Sequence, residues 1–529
     1  MSIDKISIEN YRVFSEETKI NFKNISLLTG PNSSGKSSVF KLLLLLQENF
    51  KFDSHLTRSF EHLYIKGESR ILDGFSNIIN NKNGSKIISI SLPFNFDQTI
   101  KLKYEIDEQD EKLGNLIDLE LSTFNYESDI EETYLIVKLA TEGFGFGIDF
   151  PILKKIITDQ IIVRNKNDEV SKKFHGGKTR NERENPLNKI YDPSKPIYDL
   201  EEYCAKLQIT PENAELRLFE YMSNFQEGYN PEEDFDHRPV FANIIDYIKK
   251  LYLNRNIRSR NSYGKKIADE IKLVNPTDNG YAFFNEVAEY LNKSFSEFFA
   301  SMQRFKYINS ERTLENRVIL LNENKVLNKA LLNYLTKPDN FNIKFINKWL
   351  KTFNIVDETE EFIINHLSYS ACEVIFGNTK LINEGKKGRN LIDLGFGITQ
   401  IFTLIFCLAE KGFSRTFLIE EPETNLHPNF QSLLADLIVD AQKENHNQFI
   451  IETHSEYLIR KFQYLVASKS NRANKRLINI LYFTNHESQL KIDEIGITDD
   501  GLLTKDFGPG FIDESTRIIF NIWNLPGQN

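Results

Sequence analysis

The 529-residue sequence is poor in cysteine and has no long apolar run. Its three cysteines, Cys204, Cys372 and Cys407, lie far apart and form no CxxC pair, which argues against a disulfide framework and against a zinc site. The longest apolar run, Val39 to Leu46, is interrupted by Lys41 and is shorter than the roughly 18 residues of a membrane span. The N-terminal segment also lacks the basic-then-apolar layout of a secretion signal. We therefore expect a cytoplasmic protein without a transmembrane segment.

Other absences narrow the class of protein further. The sequence shows no internal repeat, and its middle region shows no sustained heptad pattern, which argues against a long coiled-coil arm. With 40% hydrophobic and 26% charged residues, it has the composition of a globular rather than a disordered protein. The formal net charge of -10 argues against nonspecific coating of nucleic acid.

The chain is too long for one ordinary core, and its pattern changes along its length. Residues 1–150 are predicted to contain short strands, a helix that begins near Lys36, and an antiparallel β patch. Residues 151–305 are predicted to be a mainly helical insertion, and residues 306–529 return to alternating strands and helices, with Ala371 to Ile382 as one strand. The predicted fold is α/β, with a mostly parallel sheet, an antiparallel β patch and a helical insertion.

A phosphate-binding motif stands near the N-terminus. Gly30 to Ser37 reads GPNSSGKS, which fits GxxxxGK[ST], and it lies between the apolar strand Ile25 to Leu28 and a predicted helix. Glycines let backbone N–H groups approach phosphate oxygens, and the helix N-terminus adds positive potential there. Lys36 is expected to meet the β and γ phosphates, and the Ser37 hydroxyl to bind Mg²⁺. The predicted nucleotide-binding residues are Gly30, Pro31, Asn32, Ser33, Ser34, Gly35, Lys36, Ser37 and Ser38.

The choice between ATP and GTP needs separate evidence, because both nucleotides use this loop. Asn165 to Asp168 reads NKND and matches the NKxD pattern with which GTPases read guanine. The chain is rich in Asn and Lys, however, and no DxxG follows a suitable strand between the loop and Asn165. The sequence therefore favours ATP.

An apolar strand far downstream ends in acidic residues. Thr416 to Glu423 reads TFLIEEPE, and a strand end of this kind delivers carboxylates to the carboxyl edge of a sheet, where nucleotides bind in open α/β folds. Glu420 is expected to hold Mg²⁺ through water. Glu421 is expected to orient or deprotonate the water that attacks the γ phosphate.

A second apolar strand, Gln448 to Ile451, is followed by the residues Glu452-Thr453-His454-Ser455. His454 is predicted to contact the γ phosphate or the attacking water, and so to report whether the triphosphate is intact. The alternative is a capping histidine in a loop.

These motifs, in this order, resemble those of ABC-type ATPases of the RecF, SMC and OLD (overcoming lysogenization defect) group. The match includes Asp393 to Gln400 (DLGFGITQ) and Leu426-His427-Pro428 as well as the strand ends. The sequence is most similar to the AAA-15/AAA-21 type, such as the ATPase components of the Septu and PARIS antiphage systems. The resemblance covers Met1 to about Phe50 and Asn309 to Phe511 well, and the middle poorly.

The resemblance implies an ATP site that a second copy of the chain completes. Gly395, Gly397 and Thr399 match the signature segment, which contacts the γ phosphate held by the opposite subunit of a head-to-tail dimer. A glycine-containing turn that opens a helix suits this role, because it presents N–H groups to an anion. The alternative is a glycine turn that packs within the core. Thr424 to His427 falls at the position of the dimer-contacting D-loop. Arg312 is a candidate for contact with the nucleotide, but the favoured interpretation is a surface salt bridge.

The resemblance also bears on the biological role. OLD nucleases carry a Toprim domain after the ATPase, whereas no DxD cluster with a preceding Glu follows His454 here, so we expect no built-in nuclease. The leading hypothesis is a Mg²⁺-dependent ATPase that acts as sensor and regulator of a separately encoded effector, expected to be a nuclease, in bacterial antiphage defence. The alternatives are a RecF-like DNA repair clamp and an ATP-dependent assembly scaffold with little hydrolysis.

Two stretches concentrate basic residues, Arg164 to Lys189 and Lys249 to Lys272. Either could form a local track for DNA or RNA on an otherwise acidic protein. The alternative is a solvated loop and a charged helix face, which the sequence favours.

Overall fold

The computed structural model of the chain describes residues 3–50, 62–65, 78–80, 84–95, 97–107, 110, 112–126, 128–140, 143–174, 191–223, 277–312, 316–323, 325–412, 414–468, 474–486, 489–507 and 518. The chain divides into two compact units. Unit 1 comprises residues 1–5, 20–44 and 304–529, and unit 2 comprises residues 6–19 and 45–303. The predicted division at residues 150 and 305 stays a prediction.

The described residues include the following strands: β1 (Lys5–Glu9), β2 (Thr18–Asn21), β3 (Ile25–Thr29), β4 (His62–Tyr64), β5 (Ile87–Asn95), β6 (Gln98–Ile106), β7 (Leu113–Asn125), β8 (Ile130–Ala140), β9 (Gly143–Ile148), β10 (Phe305–Ile308), β11 (Ile319–Leu320), β12 (Glu361–Ser368), β13 (Ala371–Gly377), β14 (Arg389–Asn390), β15 (Thr416–Glu420), β16 (Gln448–Glu452), β17 (Ile478–His486) and β18 (Gln489–Ile495).

The helices among these residues are α1 (Lys36–Asn49), α2 (Phe150–Phe174), α3 (Glu201–Leu207), α4 (Pro211–Ser223), α5 (Asp278–Met302), α6 (Val326–Thr336), α7 (Ile343–Thr352), α8 (Thr379–Asn383), α9 (Phe396–Leu408), α10 (Pro428–Asn445) and α11 (Glu456–Ala467). Short 3-10 turns span Pro338–Asn340, Leu391–Leu394 and Lys475–Leu477. In the described part of the chain, no helix combines the length and apolar character needed to cross a membrane.

Unit 1 is built on a six-stranded sheet with the order β10-β15-β16-β3-β17-β18. The first five strands are parallel, and β18 runs antiparallel to β17. The inner strands are short and apolar, and all of β3 and β16 is buried, as expected for parallel strands covered on both faces. The predicted α/β fold with a mostly parallel sheet is confirmed.

A smaller sheet of unit 1 has the order β11-β13-β12, with β14 beside β13. The single strand predicted from Ala371 to Ile382 is wrong in its second half, because β13 ends at Gly377. Asn378 follows as the N-cap of α8, and its side chain accepts hydrogen bonds from the N–H groups of Lys380 and Leu381. An Asn at an N-cap competes with strand continuation in this way.

Unit 2 contains most of the predicted antiparallel patch, in a sheet with the order β2-β1-β5-β6-β7-β8-β9 and with β4 beside β7. Burial alternates along β6, as expected for a strand with one face on the core. Within that core, the Gln98 Oε1 atom accepts hydrogen bonds from the hydroxyls of Tyr134 (3.0 Å) and Tyr290 (2.5 Å). Phe94 and Phe295 pack with ring centroids 4.6 Å apart.

Two sequence features of this region lie partly or wholly outside the described residues. Asn165 to Asp168 belong to the backbone of α2, but their side chains are not described. Of the basic stretch Arg164 to Lys189, residues 164–174 also belong to α2 without described side chains, and residues 175–189 lie outside the described residues. Lys249 to Lys272 lie outside the described residues altogether. Nucleic-acid binding by these stretches therefore stays a prediction.

Candidate functional site

The turn between β3 and α1 has a backbone that favours glycine at two positions. Gly30 (φ +136°), Ser33 (φ +61°) and Gly35 (φ +105°) all have positive φ. A Cβ atom on Gly30 would lie 2.1 Å from the carbonyl oxygen of Phe483, so a larger residue cannot occupy that position without backbone movement. Left-handed residues within such a turn direct successive N–H groups toward one concave surface, which is the form of an anion-binding site.

Lys36 begins α1 at the end of this turn, and it is only 3% exposed. Its Nζ atom donates hydrogen bonds to the carbonyl oxygens of Gly30 (3.0 Å) and Pro31 (2.8 Å). Burial lowers the pKa of Lys36, while the nearby carboxylates of Glu452 and Glu421 act in the opposite direction. The lysine is thus held against the loop by acceptors that phosphate oxygens can replace.

Ser37, the next residue, is paired with a carboxylate from β16. Its hydroxyl donates a hydrogen bond to Glu452 Oε1 at 2.9 Å. Burial raises the pKa of Glu452 to about 7, although the hydrogen bond from Ser37 and the charge of Lys36 both lower it. Glu452 follows a strand predicted from the sequence, but no role was predicted for it. An apolar strand ending in an acid, which identified Glu420 and Glu421, was also the signal for Glu452.

Glu420 ends β15, beside Glu452 in the register of the two parallel strands. It is partly buried, and burial raises its pKa, while a hydrogen bond from Tyr307 and the charge of Lys41 lower it. Its carboxylate therefore lies at the same sheet edge as that of Glu452, one strand farther from β3.

Glu421 has a left-handed backbone, with φ +39°, at the first position after β15. Its N–H donates to the Glu452 carbonyl oxygen at 2.8 Å, and its Oε2 accepts a hydrogen bond from the Thr424 hydroxyl at 3.1 Å. Non-glycine residues adopt this conformation rarely, and such strain is often found at functional sites. The charge of the Glu421 carboxylate also acts on Lys36.

Arg312 holds the backbone of Glu420 and Glu421 in place. The predicted alternative of a surface salt bridge is wrong, because Arg312 is 5% exposed. Its Nη1 and Nη2 atoms donate to the carbonyl oxygens of Glu420 (3.0 Å) and Glu421 (2.9 Å). Burial lowers its pKa to about 10, and the charges of Glu423, Glu420 and Glu421 oppose that shift. The guanidinium is thus a buried brace for the turn after β15.

Glu423 performs a similar task for the segment after β16. Its Oε1 atom accepts hydrogen bonds from the Thr453 hydroxyl (2.8 Å) and from the His454 N–H (2.6 Å). The neighbouring Ser455, not His454, caps α11, since its hydroxyl accepts from the Leu458 N–H at 3.1 Å. The His454 side chain is exposed at the site, and partial burial and the charge of Lys36 lower its pKa.

The predicted signature turn lies at the start of α9, and its residues differ in exposure. Gly395 is the N-cap residue with φ +89°, and a Cβ atom there would meet no atom within 4 Å. Phe396 is 67% exposed. By contrast, a Cβ on Gly397 would lie 3.1 Å from the Asn425 carbonyl oxygen, and the buried Thr399 hydroxyl donates to the Phe396 carbonyl oxygen at 2.7 Å. Gly395 and Phe396 face outward, whereas Gly397 and Thr399 pack against their own chain.

The donor set at the sheet edge suits a hard divalent cation. Hydroxyl and carboxylate oxygens are the ligands that Mg²⁺ prefers, and Glu452 has a buried Oε2 atom without a hydrogen-bond partner among the described residues. No group of three or more His, Cys, Asp and Glu side chains in the described ranges is arranged as a metal cage. Mg²⁺ in nucleotide sites takes few protein ligands and several from phosphate and water.

Comparisons with known proteins identify the kind of domain. The sequence model of the AAA_15 family, described as an AAA ATPase domain, matches residues 1–459. Among solved structures, the Smc head domain of Pyrococcus furiosus, with an extended coiled coil and bound to the C-terminal domain of ScpA, is 13% identical with a TM-score of 0.34, and the match covers 98% of this chain and 99% of that chain. The SMC head domain from Thermotoga maritima is 9% identical with a TM-score of 0.32, covering 93% and 98%. No curated protein matches the sequence.

Proposed function

Because the chain belongs to the AAA_15 family of ATPase domains, we propose that it hydrolyses ATP with Mg²⁺ in a site that a second copy completes head to tail. The observation that carries the proposal is the convergence of three strand ends. The loop after β3 supplies Lys36 and Ser37, β15 supplies Glu420 and Glu421, and β16 lies between them. This is the edge at which open α/β sheets bind nucleotides.

The proposed chemistry uses each group according to its surroundings. Lys36 and the loop N–H groups bind the β and γ phosphates and stabilise the charge that develops there. Glu421, anchored by Thr424 and by its own backbone hydrogen bond, orients the attacking water and accepts its proton. His454 contacts the γ phosphate. When bound, Mg²⁺ would be held by Ser37 and, through water, by Glu420, and would neutralise phosphate charge.

The composite site rests on the outward half of the signature turn. Gly395 is the N-cap of α9, so the turn lies at the helix N-terminus, where the helix dipole favours an anion, and the adjacent Phe396 is exposed. Exposed aromatic residues are frequent anchors of protein interfaces. In this proposal the turn of one copy meets the γ phosphate held by the other. Gly397 and Thr399 then act indirectly, by fixing the shape of the turn.

The experiment that tests this proposal replaces Glu421 with Gln. We expect ATP turnover to fall by about 10²- to 10⁴-fold while ATP binding is retained. ATP and Mg²⁺ should then accumulate a dimer of the Glu421→Gln variant in light scattering. The matched control is Glu358→Gln, at a surface position whose side chain is 86% exposed, which should behave like the wild type. Unchanged turnover in Glu421→Gln, or a monomer with ATP bound, would overturn the mechanism.

We further propose that the ATPase senses a target and regulates a separately encoded effector, expected to be a nuclease, in antiphage defence. The motif resemblance described above is what supports this role. Expression with and without the adjacent gene tests it, because restriction of phage by the ATPase alone would contradict the need for an effector. ATP-dependent binding to DNA gaps would favour the repair clamp instead, and assembly with ATP but without turnover would favour the scaffold.

A further inference from the structure

We propose that Glu452 is a positioning residue of the magnesium site, which fixes the Ser37 hydroxyl with one carboxylate oxygen and holds a water of the magnesium shell with the other. The inference rests on the proposed function, because it assigns a residue to the site of that same ATPase. In this arrangement Glu420 also holds Mg²⁺ through water, and Glu452 lies closer to the loop between β3 and α1.

The sheet order puts Glu452 in this place. Strand β16 lies directly between β15 and β3, and Glu452 pairs in register with Glu420 on one side and Leu28 on the other. Adjacent strands lie about 4.8 Å apart, so the end of β15 is about twice that distance from the end of β3. Glu452 is therefore the strand-end carboxylate nearest the loop.

The hydrogen bond from Ser37 sets the direction of its oxygen. A serine hydroxyl has one proton and two lone pairs. The Ser37 proton is directed to Glu452 Oε1 at 2.9 Å, which leaves the lone pairs of the same oxygen available to a cation. A partner that orients a metal ligand in this way contributes to metal affinity without touching the metal.

The second carboxylate oxygen of Glu452, Oε2, indicates that a ligand with hydrogen-bond donors binds here. Glu452 is 6% exposed, and its Oε2 atom is buried with no hydrogen-bond partner in the part of the chain that the structure describes. A buried carboxylate oxygen without a donor is costly unless a bound group supplies one. Water molecules bound to Mg²⁺ are strong donors, and Mg²⁺ keeps several of them in nucleotide sites. The charge of Lys36 also acts on Glu452.

The test measures metal affinity directly, using Mn²⁺ as a paramagnetic probe. Mn²⁺ is titrated into the ATP complex and followed by electron paramagnetic resonance, and ATP affinity is measured separately in EDTA. We expect Glu452→Ala to weaken Mn²⁺ binding about 10- to 100-fold and Glu452→Gln by less, because Gln retains an acceptor for Ser37. ATP affinity in EDTA should change by less than about twofold in both variants. Unchanged Mn²⁺ affinity in either variant would overturn the inference.

The controls separate this inference from loss of folding and from failure of the proposed function. Glu410→Gln removes another buried carboxylate of unit 1, one paired with Lys306 and Arg415, and should leave Mn²⁺ affinity unchanged. If Glu452→Ala does not fold, the isosteric Glu452→Gln still gives the answer. The Ser37→Ala and Glu452→Ala losses should not add in the double variant, and full additivity would contradict the inference. If wild-type protein binds no Mn²⁺ with ATP, the proposed function itself fails.

Discussion

The two sheets of the molecule place their buried polar groups in different ways. In unit 1, five parallel strands end at one edge, so Lys36, Glu420, Glu421 and Glu452 gather there with little solvent. In unit 2, consecutive antiparallel strands end at opposite edges, and the buried Gln98 is instead matched by two tyrosine hydroxyls within the core.

The two arrangements have different consequences for the stability of the fold. The carboxylates of Glu420 and Glu452 have raised pKa values because burial disfavours their charge, so they lower the stability of the fold without a ligand. Active sites commonly show this exchange of stability for activity. In the Gln98 cluster two tyrosine hydroxyls donate to one amide oxygen, so the buried polar groups satisfy each other. This cluster therefore stabilises the fold and has no part in the proposed ATP site. Removing the charge of a buried carboxylate in unit 1 should therefore raise the stability of the nucleotide-free protein, whereas removing the Gln98 acceptor in unit 2 should lower it.

The largest expected effect on the free energy of unfolding is that of a substitution at Arg312 in unit 1. Arg312→Leu removes the buried cation that braces the turn after β15, and leaves the carboxylates nearby without its charge. We expect the free energy of unfolding to fall by about 3–5 kcal/mol, as for other buried charge partners. Urea denaturation measures it. The matched control is Arg317→Leu, whose ion pair with Asp393 is largely exposed and should contribute about 0–1 kcal/mol. If Arg312→Leu lowered the free energy of unfolding no more than Arg317→Leu does, the buried guanidinium would not be needed to stabilise the turn after β15.

Next in size is a pH effect at Glu452. Burial raises the pKa of Glu452 from 4.5 to about 7, so the folded state holds its proton more tightly than the unfolded state. Its contribution to stability is fully present below pH 4.5 and is lost as the pH rises through about 7. Glu452→Gln should therefore stabilise the nucleotide-free protein above pH 7 by about 2–3 kcal/mol, and by little near pH 4.5. A difference in melting temperature that is constant with pH would break the comparison.

The smallest expected effect lies in unit 2 and is opposite in sign to that of Glu452→Gln. Gln98→Leu leaves the Tyr134 and Tyr290 hydroxyls without their shared acceptor and should lower the free energy of unfolding by about 2 kcal/mol. ATP turnover below the melting transition should not change. Thr99→Val, at the next and more exposed position of β6, should change stability by less than about 0.5 kcal/mol. If a folded Gln98→Leu variant lost ATP turnover, the Gln98 cluster would have a role in activity as well as in stability, which would contradict the comparison.

The sequence predicted the parts of the site that depend on local pattern. The loop from Gly30 to Ser37 was recognisable because its glycines and lysine have fixed spacing, and β15 and β16 were recognisable as apolar strands ending in acids. The roles of these residues remain proposals. The end of β13 was missed because an Asn cap interrupted an otherwise apolar stretch.

What the sequence could not supply was the spatial order of distant segments. Glu452 contacts Ser37 only because β16 lies beside β3, and no local pattern gives that order. Arg312 looked like a surface charge because its partners are the carbonyl oxygens of Glu420 and Glu421, which have no signature in side-chain chemistry. Strand order and backbone acceptors are properties of the folded chain.

The central position of β3 has a consequence for how the protein is made. Ser37 and Glu452 are separated by 415 residues, and the strands on both sides of β3 belong to the C-terminal half of the chain. At about 5–20 residues per second, a ribosome releases the phosphate loop tens of seconds before β16 exists. During that interval the apolar β3 and α1 have none of their final strand neighbours, so chaperones that shield nascent chains should determine how much active enzyme a cell obtains.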